Sequence, residues 1–215
     1  MVVTAAGDFA AAGLVTKFAK PGGNITGFSL LLNEVSVKRV ELLRQSFPKI
    51  KRATVIWNPV RPDNAIEVAQ MQEAARQMGL ELQSAPVRTK VELATVLEML
   101  AVDGTQAVFN AGDTLLALES GKVVRRAAEL NLPGMFTEPI FPRQGGLMSY
   151  GPDLNVQQRR GAEYVDRILK GEKAGDLPIE MPTRFELVIN RKAARAKGWE
   201  IPQSVLMRAD EVIDR

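Results

Sequence analysis

Neither cysteine nor histidine occurs anywhere in the 215 residues. Without cysteine the chain forms no disulfide and offers no thiolate to a metal. The redox compartment stays open, because a cysteine-free chain suits an oxidising and a reducing compartment equally. Without histidine it lacks the commonest general base, any Ser-His-Asp relay and the usual imidazole ligand, which counts against hydrolytic chemistry. No catalytic residue, metal or cofactor is expected. No run approaches the ~18 consecutive apolar residues that a membrane helix needs. The opening residues lack the basic-then-apolar pattern of a signal peptide, so a soluble chain without its own export signal is expected. Gly22-Gly23 and Gly145-Gly146 match neither the phosphate loop nor the dinucleotide fingerprint. A marked excess of one charge is missing too: 28 Lys and Arg stand against 25 Asp and Glu. The basic pairs Lys38-Arg39, Arg125-Arg126 and Arg159-Arg160 lie near acids in helical stretches. They read as solvated helix faces, and no nucleic-acid partner is expected.

What the chain does contain is a regular alternation of short β-rich apolar runs with longer segments of helical period, the pattern of an α/β fold with a largely parallel, helix-covered sheet. Strands are expected at 1–4, 24–29, 53–57, 80–87, 106–109, 134–137, 147–150 and 185–189. Helices are expected from Asn33 or Glu34 to Gln45, from an N-cap at Asp63 to about Met78, and over 91–102, 115–130 and 156–169. Consecutive β-α-β units imply right-handed crossovers. The stretch from Lys170 to Pro182, rich in Gly, Pro and charge, is either an interdomain linker or a surface excursion between helix and strand.

Open parallel sheets bind ligands beyond the carboxyl ends of their strands. Four places qualify: Gly7-Asp8, Asn58-Pro59, Gly112-Asp113-Thr114 and Glu138-Pro139. They would present carboxylates and an amide at one edge, a constellation suited to a small zwitterionic or hydroxylated solute. Asp8, Asp63 and Asp113 each precede an expected helix, so each is equally well an N-cap. Tyr150, at a strand end, is either core or a surface on which a planar ligand stacks.

The ordered set Gly7-Asp8-Phe9-Ala10, Lys20-Pro21-Gly22-Gly23-Asn24-Ile25-Thr26-Gly27, Val55-Ile56-Trp57-Asn58-Pro59, Gly145-Gly146-Leu147-Met148-Ser149-Tyr150-Gly151-Pro152-Asp153 and Phe185-Glu186-Leu187-Val188-Ile189-Asn190 resembles the ABC transporter substrate-binding protein family, which includes tryptophan-binding TrpX-like receptors. The likeness runs over nearly the whole chain. It implies a type I periplasmic-binding-protein-like fold with Rossmann-like lobes, a solute held between lobes without catalysis, hinge closure and delivery to an ABC permease in the membrane. Lobe one would comprise 1–29 and 146–182, and lobe two 30–145 and 183–215. The implied solute is an amino acid, with an aromatic one the first expectation, and the implied location is periplasmic or otherwise extracytoplasmic. The ligand-binding set becomes Asp8, Asn58, Asp113, Thr114, Glu138 and Tyr150.

Members of that family usually carry an export signal and further β-α units ahead of the strand at 1–4. Lobe one is therefore expected to be incomplete, with a homodimer or swapped partner as one way to complete it. Two other readings share the fold plan. One is an enzyme on a doubly wound sheet. The other is the effector-binding module of a LacI-type regulator, which normally follows a helix-turn-helix segment.

Overall fold

The computed structural model describes residues 1–7, 9, 13–30 and 32–214. Along the chain run β1 (Val2–Ala6), β2 (Thr26–Ser29), α1 (Leu32–Ser46), β3 (Arg52–Trp57), α2 (Pro62–Gln77), β4 (Glu81–Pro86), α3 (Lys90–Met99), β5 (Val108–Asn110), α4 (Thr114–Leu118) and α5 (Ser120–Glu129). There follow β6 (Gly134–Phe136), α6 (Ile140–Arg143), β7 (Met148–Pro152), α7 (Leu154–Leu169), β8 (Phe185–Asn190), α8 (Arg191–Ala196), α9 (Gln203–Leu206) and β9 (Glu211–Ile213). The chain divides into two compact units, Met1–Leu32 with Pro152–Phe185, and Asn33–Gly151 with Glu186–Arg215. Among the described residues no helix is long and apolar enough to cross a membrane.

The second unit is built on a seven-stranded sheet ordered β4-β3-β5-β6-β7-β8-β9. Pairing is parallel from β4 through β7 and again between β8 and β9. Strands buried on both faces read as continuous apolar runs whose neighbours point opposite ways. Val55, Phe109 and Met135 accordingly join α1 and α2 in one core cluster, while Ile56, Val108 and Phe136 join α3, α4 and α5 in the other. Aromatic packing on the second face is close, with the Phe136 and Phe141 rings stacked 4.5 Å apart.

The first unit carries a parallel two-stranded sheet, β1 with β2, in which Val2 pairs with Thr26 and Val3 with Gly27. Asp153 caps α7 by accepting from the Asn155 and Val156 amides. Tyr164 of that helix packs its ring 5.0 Å from Phe28 of β2 and donates its hydroxyl to the Pro178 carbonyl and to Glu180. The 170–182 stretch lies within this unit and, contrary to a surface excursion, packs into it: Leu177 and Ile179 are buried, Gly22 N donates to the Gly175 carbonyl, Ile179 N to that of Phe18, and Thr26 Oγ1 to that of Leu177.

Three expectations about elements need correction. The helix expected at 115–130 is two, α4 and α5, separated at Glu119, whose buried carboxylate is held by Lys90 at 2.7 Å and Lys122 at 2.6 Å. Asp63 is not the cap of α2: Pro62 takes the first helical position, where its missing N–H costs nothing, which leaves Arg61 as the cap residue and Asp63 inside the first turn. The tail beyond residue 190, whose short α8, α9 and β9 have weak periodicity, adds an edge strand to the sheet.

Candidate functional site

In the second unit Ile56 pairs with Asn110 and Phe109 with Met135, so β3, β5 and β6 end near a common level, with Ser149 of β7 beside Phe136. Asn58, Asp113 and Glu138 follow those strand ends by one, three and two residues and share the carboxyl edge of the sheet. The chain after β3 turns on the Asn58 side chain, whose Oδ1 accepts from Val60 N at 3.0 Å. Its Nδ2 donates to Asp113 Oδ2 at 3.1 Å. Asp113 is 6% exposed and caps α4, its Oδ1 accepting from Leu115 N at 2.8 Å. The residue is thus both an N-cap and a member of the edge constellation, the two roles its sequence position left open.

Glu138 is half-buried, and its carboxyl is pushed above the ordinary carboxylate range, first by burial and then by the charge of Asp113. Among the described residues no hydrogen bond or ion pair reaches its carboxylate. Arg61 is electrostatically coupled to Asp113. Arg61 grips Asp63 with two hydrogen bonds, Nε to Oδ1 at 3.2 Å and Nη2 to Oδ2 at 2.6 Å, and the charges of Asp113 and Glu67 also help to hold it protonated. Its Nη1 carries no hydrogen bond to a described residue. Arg61 was not among the residues expected from sequence; the signal that points to it is a lone cation between the Asn58 turn and a proline-led helix.

A polar layer beneath this edge fixes it. Asn110, at the end of β5, donates to Thr137 Oγ1 at 3.0 Å and accepts from Thr137 N at 3.0 Å, which holds the residue preceding Glu138. Arg39 Nη1 donates to the Asn110 carbonyl at 3.0 Å. Arg39 is fully buried, ion-paired with the equally buried Glu67 of α2, and Ser36 donates to the same carboxylate at 2.8 Å. Burial draws the Arg39 pKa down and the contact with Glu67 draws it back up. Asn64, also on α2, donates to the Asn58 carbonyl at 3.3 Å.

Of the other expected site residues, Thr114 opens α4 beside Asp113 and is exposed. Tyr150 sits inside β7, partly buried against the core cluster that includes Phe109 and Met148. Asp8 lies outside the described residues. Chemically the described residues of the edge combine the Asp113 and Glu138 carboxylates, the Asn58 amide and the Arg61 guanidinium. Among the described residues no group of three or more His, Cys, Asp or Glu is placed to hold a metal.

Comparison with known proteins bears on family and fold. A family model described as ABC transporter substrate binding protein matches residues 1–213. The chain is 27% identical over 196 residues to a tyrosine-binding protein of Clostridioides difficile (strain R20291), covering 91% of this chain and 56% of that protein. It therefore spans little more than half the length of that curated relative. Among solved structures, an ABC domain from Streptococcus pneumoniae in complex with L-Trp superposes with a TM-score of 0.89 at 26% identity, over 99% of this chain and 73% of that one. A conserved domain protein from Vibrio cholerae superposes at 0.86 with 25% identity, over 95% and 68%.

Proposed function

The chain belongs to the ABC transporter substrate binding protein family, and on that premise we propose that it is the solute-binding component of an ABC importer, holding an aromatic amino acid without transforming it. The observation that carries this reading is the carboxylate pair at the carboxyl edge, with Glu138 half-buried and driven toward protonation by burial and by Asp113. An ammonium group supplies the charge such a pair wants, because each carboxylate accepts a charge-assisted hydrogen bond from it. The α-carboxylate of the same solute is met by Arg61, whose Nη1 is open while Asp63 holds the rest of the fork. An aromatic side chain is favoured by the tyrosine named for one relative and the L-Trp bound in another.

The proposed work is binding and release: the family consists of binding proteins, and the edge offers no histidine or thiol nucleophile. The proposed partners are the solute and a membrane permease. The proposed place of action is outside the cytoplasm, as for substrate-binding proteins of ABC importers. A second copy of this chain is one further partner, and native mass spectrometry reads subunit number and retained solute together.

The deciding experiment is titration calorimetry with L-tyrosine and L-tryptophan beside 3-(4-hydroxyphenyl)propionate and indole-3-propionate, which keep ring and carboxylate but lack the ammonium. The expected result is saturable one-to-one binding of at least one amino acid, with the matching deaminated acid weaker by about tenfold or more, as for loss of a charged hydrogen bond. Equal binding of both forms would remove Asp113 and Glu138 from the site. Slow conversion of the bound amino acid would replace the receptor reading with an enzyme.

A further inference from the structure

The polar groups of the carboxyl edge answer the two charged ends of an amino acid; its apolar side chain needs a surface of its own. Small-molecule sites are lined mainly by apolar groups, with a few polar ones to fix orientation. The chain supplies apolar groups at this edge in a repeated form. After β3 it reads Asn58-Pro59-Val60 and after β6 it contains Glu138-Pro139-Ile140, in each case a polar residue, a proline and a β-branched aliphatic.

Both aliphatic residues are exposed, Val60 at 69% and Ile140 at 39%. A lone exposed aliphatic needs no explanation. What sets these two apart is how firmly each is held beside a residue of the polar set. Val60 N donates to Asn58 Oδ1 at 3.0 Å, and Nδ2 of the same amide donates to Asp113 at 3.1 Å. The Asn58 carbonyl accepts from Asn64 Nδ2 at 3.3 Å, which ties the turn to α2. Ile140 opens α6, whose turn is closed by Phe141 N donating to the Glu138 carbonyl at 3.2 Å and is anchored by the buried Phe141 and Pro142. Proline locks one backbone angle in each loop, so each aliphatic keeps a set place relative to its polar neighbour.

Two rings near this level are committed elsewhere. Trp57 donates Nε1 to Ser84 Oγ at 2.6 Å, and both Trp57 and Tyr150 pack against the core cluster under α1 and α2.

We propose that Val60 and Ile140 form the apolar binding surface of the carboxyl edge, receiving the side chain of the amino acid whose charged groups are met by Asp113, Glu138 and Arg61. This rests on the amino-acid reading of the edge, and the test separates the two. The full chain is titrated by calorimetry with L-tryptophan and with indole-3-propionate. Val60→Ser combined with Ile140→Ser is expected to weaken both by the same factor, about fivefold or more, because the ring is common to both ligands. The preference for the ammonium form then stays as in the unaltered chain. Val60→Ile with Ile140→Val keeps the surface apolar and should retain the affinity. Val102, 84% exposed in the turn that leads into β5, supplies the control: Val102→Ser should change neither titration. Both proposed residues are exposed, so the serine variant folds, and an unchanged thermal midpoint verifies it. Unchanged affinity in the serine variant, a loss confined to the ammonium form, or an equal loss in the aliphatic swap overturns the proposal and leaves the amino-acid reading standing. Absence of binding by the unaltered chain overturns both.

Discussion

Asp113 and Asp63 are carboxylates of neighbouring turns with different obligations. Asp63 is taken up by the two-pronged grip of Arg61, while Asp113 divides its oxygens between Leu115 N and Asn58. Asp113→Ala is expected to weaken amino-acid binding more than Asp63→Ala, by roughly ten- to hundredfold for a lost charged hydrogen bond. Loss of the α4 cap adds about 1 kcal/mol to the cost in stability. Asp113→Asn separates the two effects, since an amide oxygen still caps the helix while the charge is gone; calorimetry and thermal unfolding read them independently, and equal affinity losses at 63 and 113 would undo the assignment. Glu138 gives a pH signature. Its folded-state pKa is raised, so the folded chain holds a proton that the unfolded chain has already released. Stability from this group is full below the ordinary carboxylate value and lost as pH rises through the raised one. The proposed amino-acid affinity is expected to run the other way, falling as pH drops through that window and the carboxylate is protonated. Glu138→Gln should flatten both dependences, by urea unfolding and calorimetry at stepped pH.

At the scale of elements, α1 and α2 are fastened to the end of β5 by a buried ion pair. Arg39 reaches Glu67 on one helix and the Asn110 carbonyl on the strand, and both charged side chains are 0% exposed. Removing one partner leaves the other charged and buried, which costs about 3–5 kcal/mol, whereas replacing both with apolar residues is often near neutral. Arg39→Met and Glu67→Leu are each expected to lower the urea midpoint strongly, and the double variant to recover much of the loss. A double variant as unstable as the sum of the singles would show that the pair is not coupled. The same fastening locates Thr137 through Asn110, so the single variants should also loosen amino-acid binding at temperatures where the chain remains folded. Little of this was legible in the sequence. Arg39 and Glu67 lie 28 positions apart and each looks like an ordinary charge on an amphipathic helix; only packing α1 against α2 brings them together. The break at Glu119 escaped notice for a similar reason, because the lysine at position 90 that helps hold its carboxylate belongs to a different helix.

At the scale of the whole molecule, the two units differ in how much sheet they contain: seven strands with apolar clusters on both faces in one, two strands beneath α7 in the other. A two-stranded sheet has little stability of its own, so opening is expected to begin in the first unit. Hydrogen exchange read by mass spectrometry should show peptides from 1–30 and 154–170 exchanging faster than those spanning β3, β5 and β6, and uniform protection would contradict this. Much of the plan follows from sequence alone: the α/β class, the order of most strands and helices, and the turns after β3, β5 and β6 that bring Asn58, Asp113 and Glu138 to the carboxyl edge. Those are set by local periodicity, by proline and glycine stops, and by the rule that parallel strands end at one edge. Tertiary structure decided the rest. It made Asp113 both cap and edge carboxylate, added Arg61 to the edge, and packed the 170–182 stretch into the first unit. Each depends on distances between residues far apart in the chain, which periodicity, a property of near neighbours, does not encode.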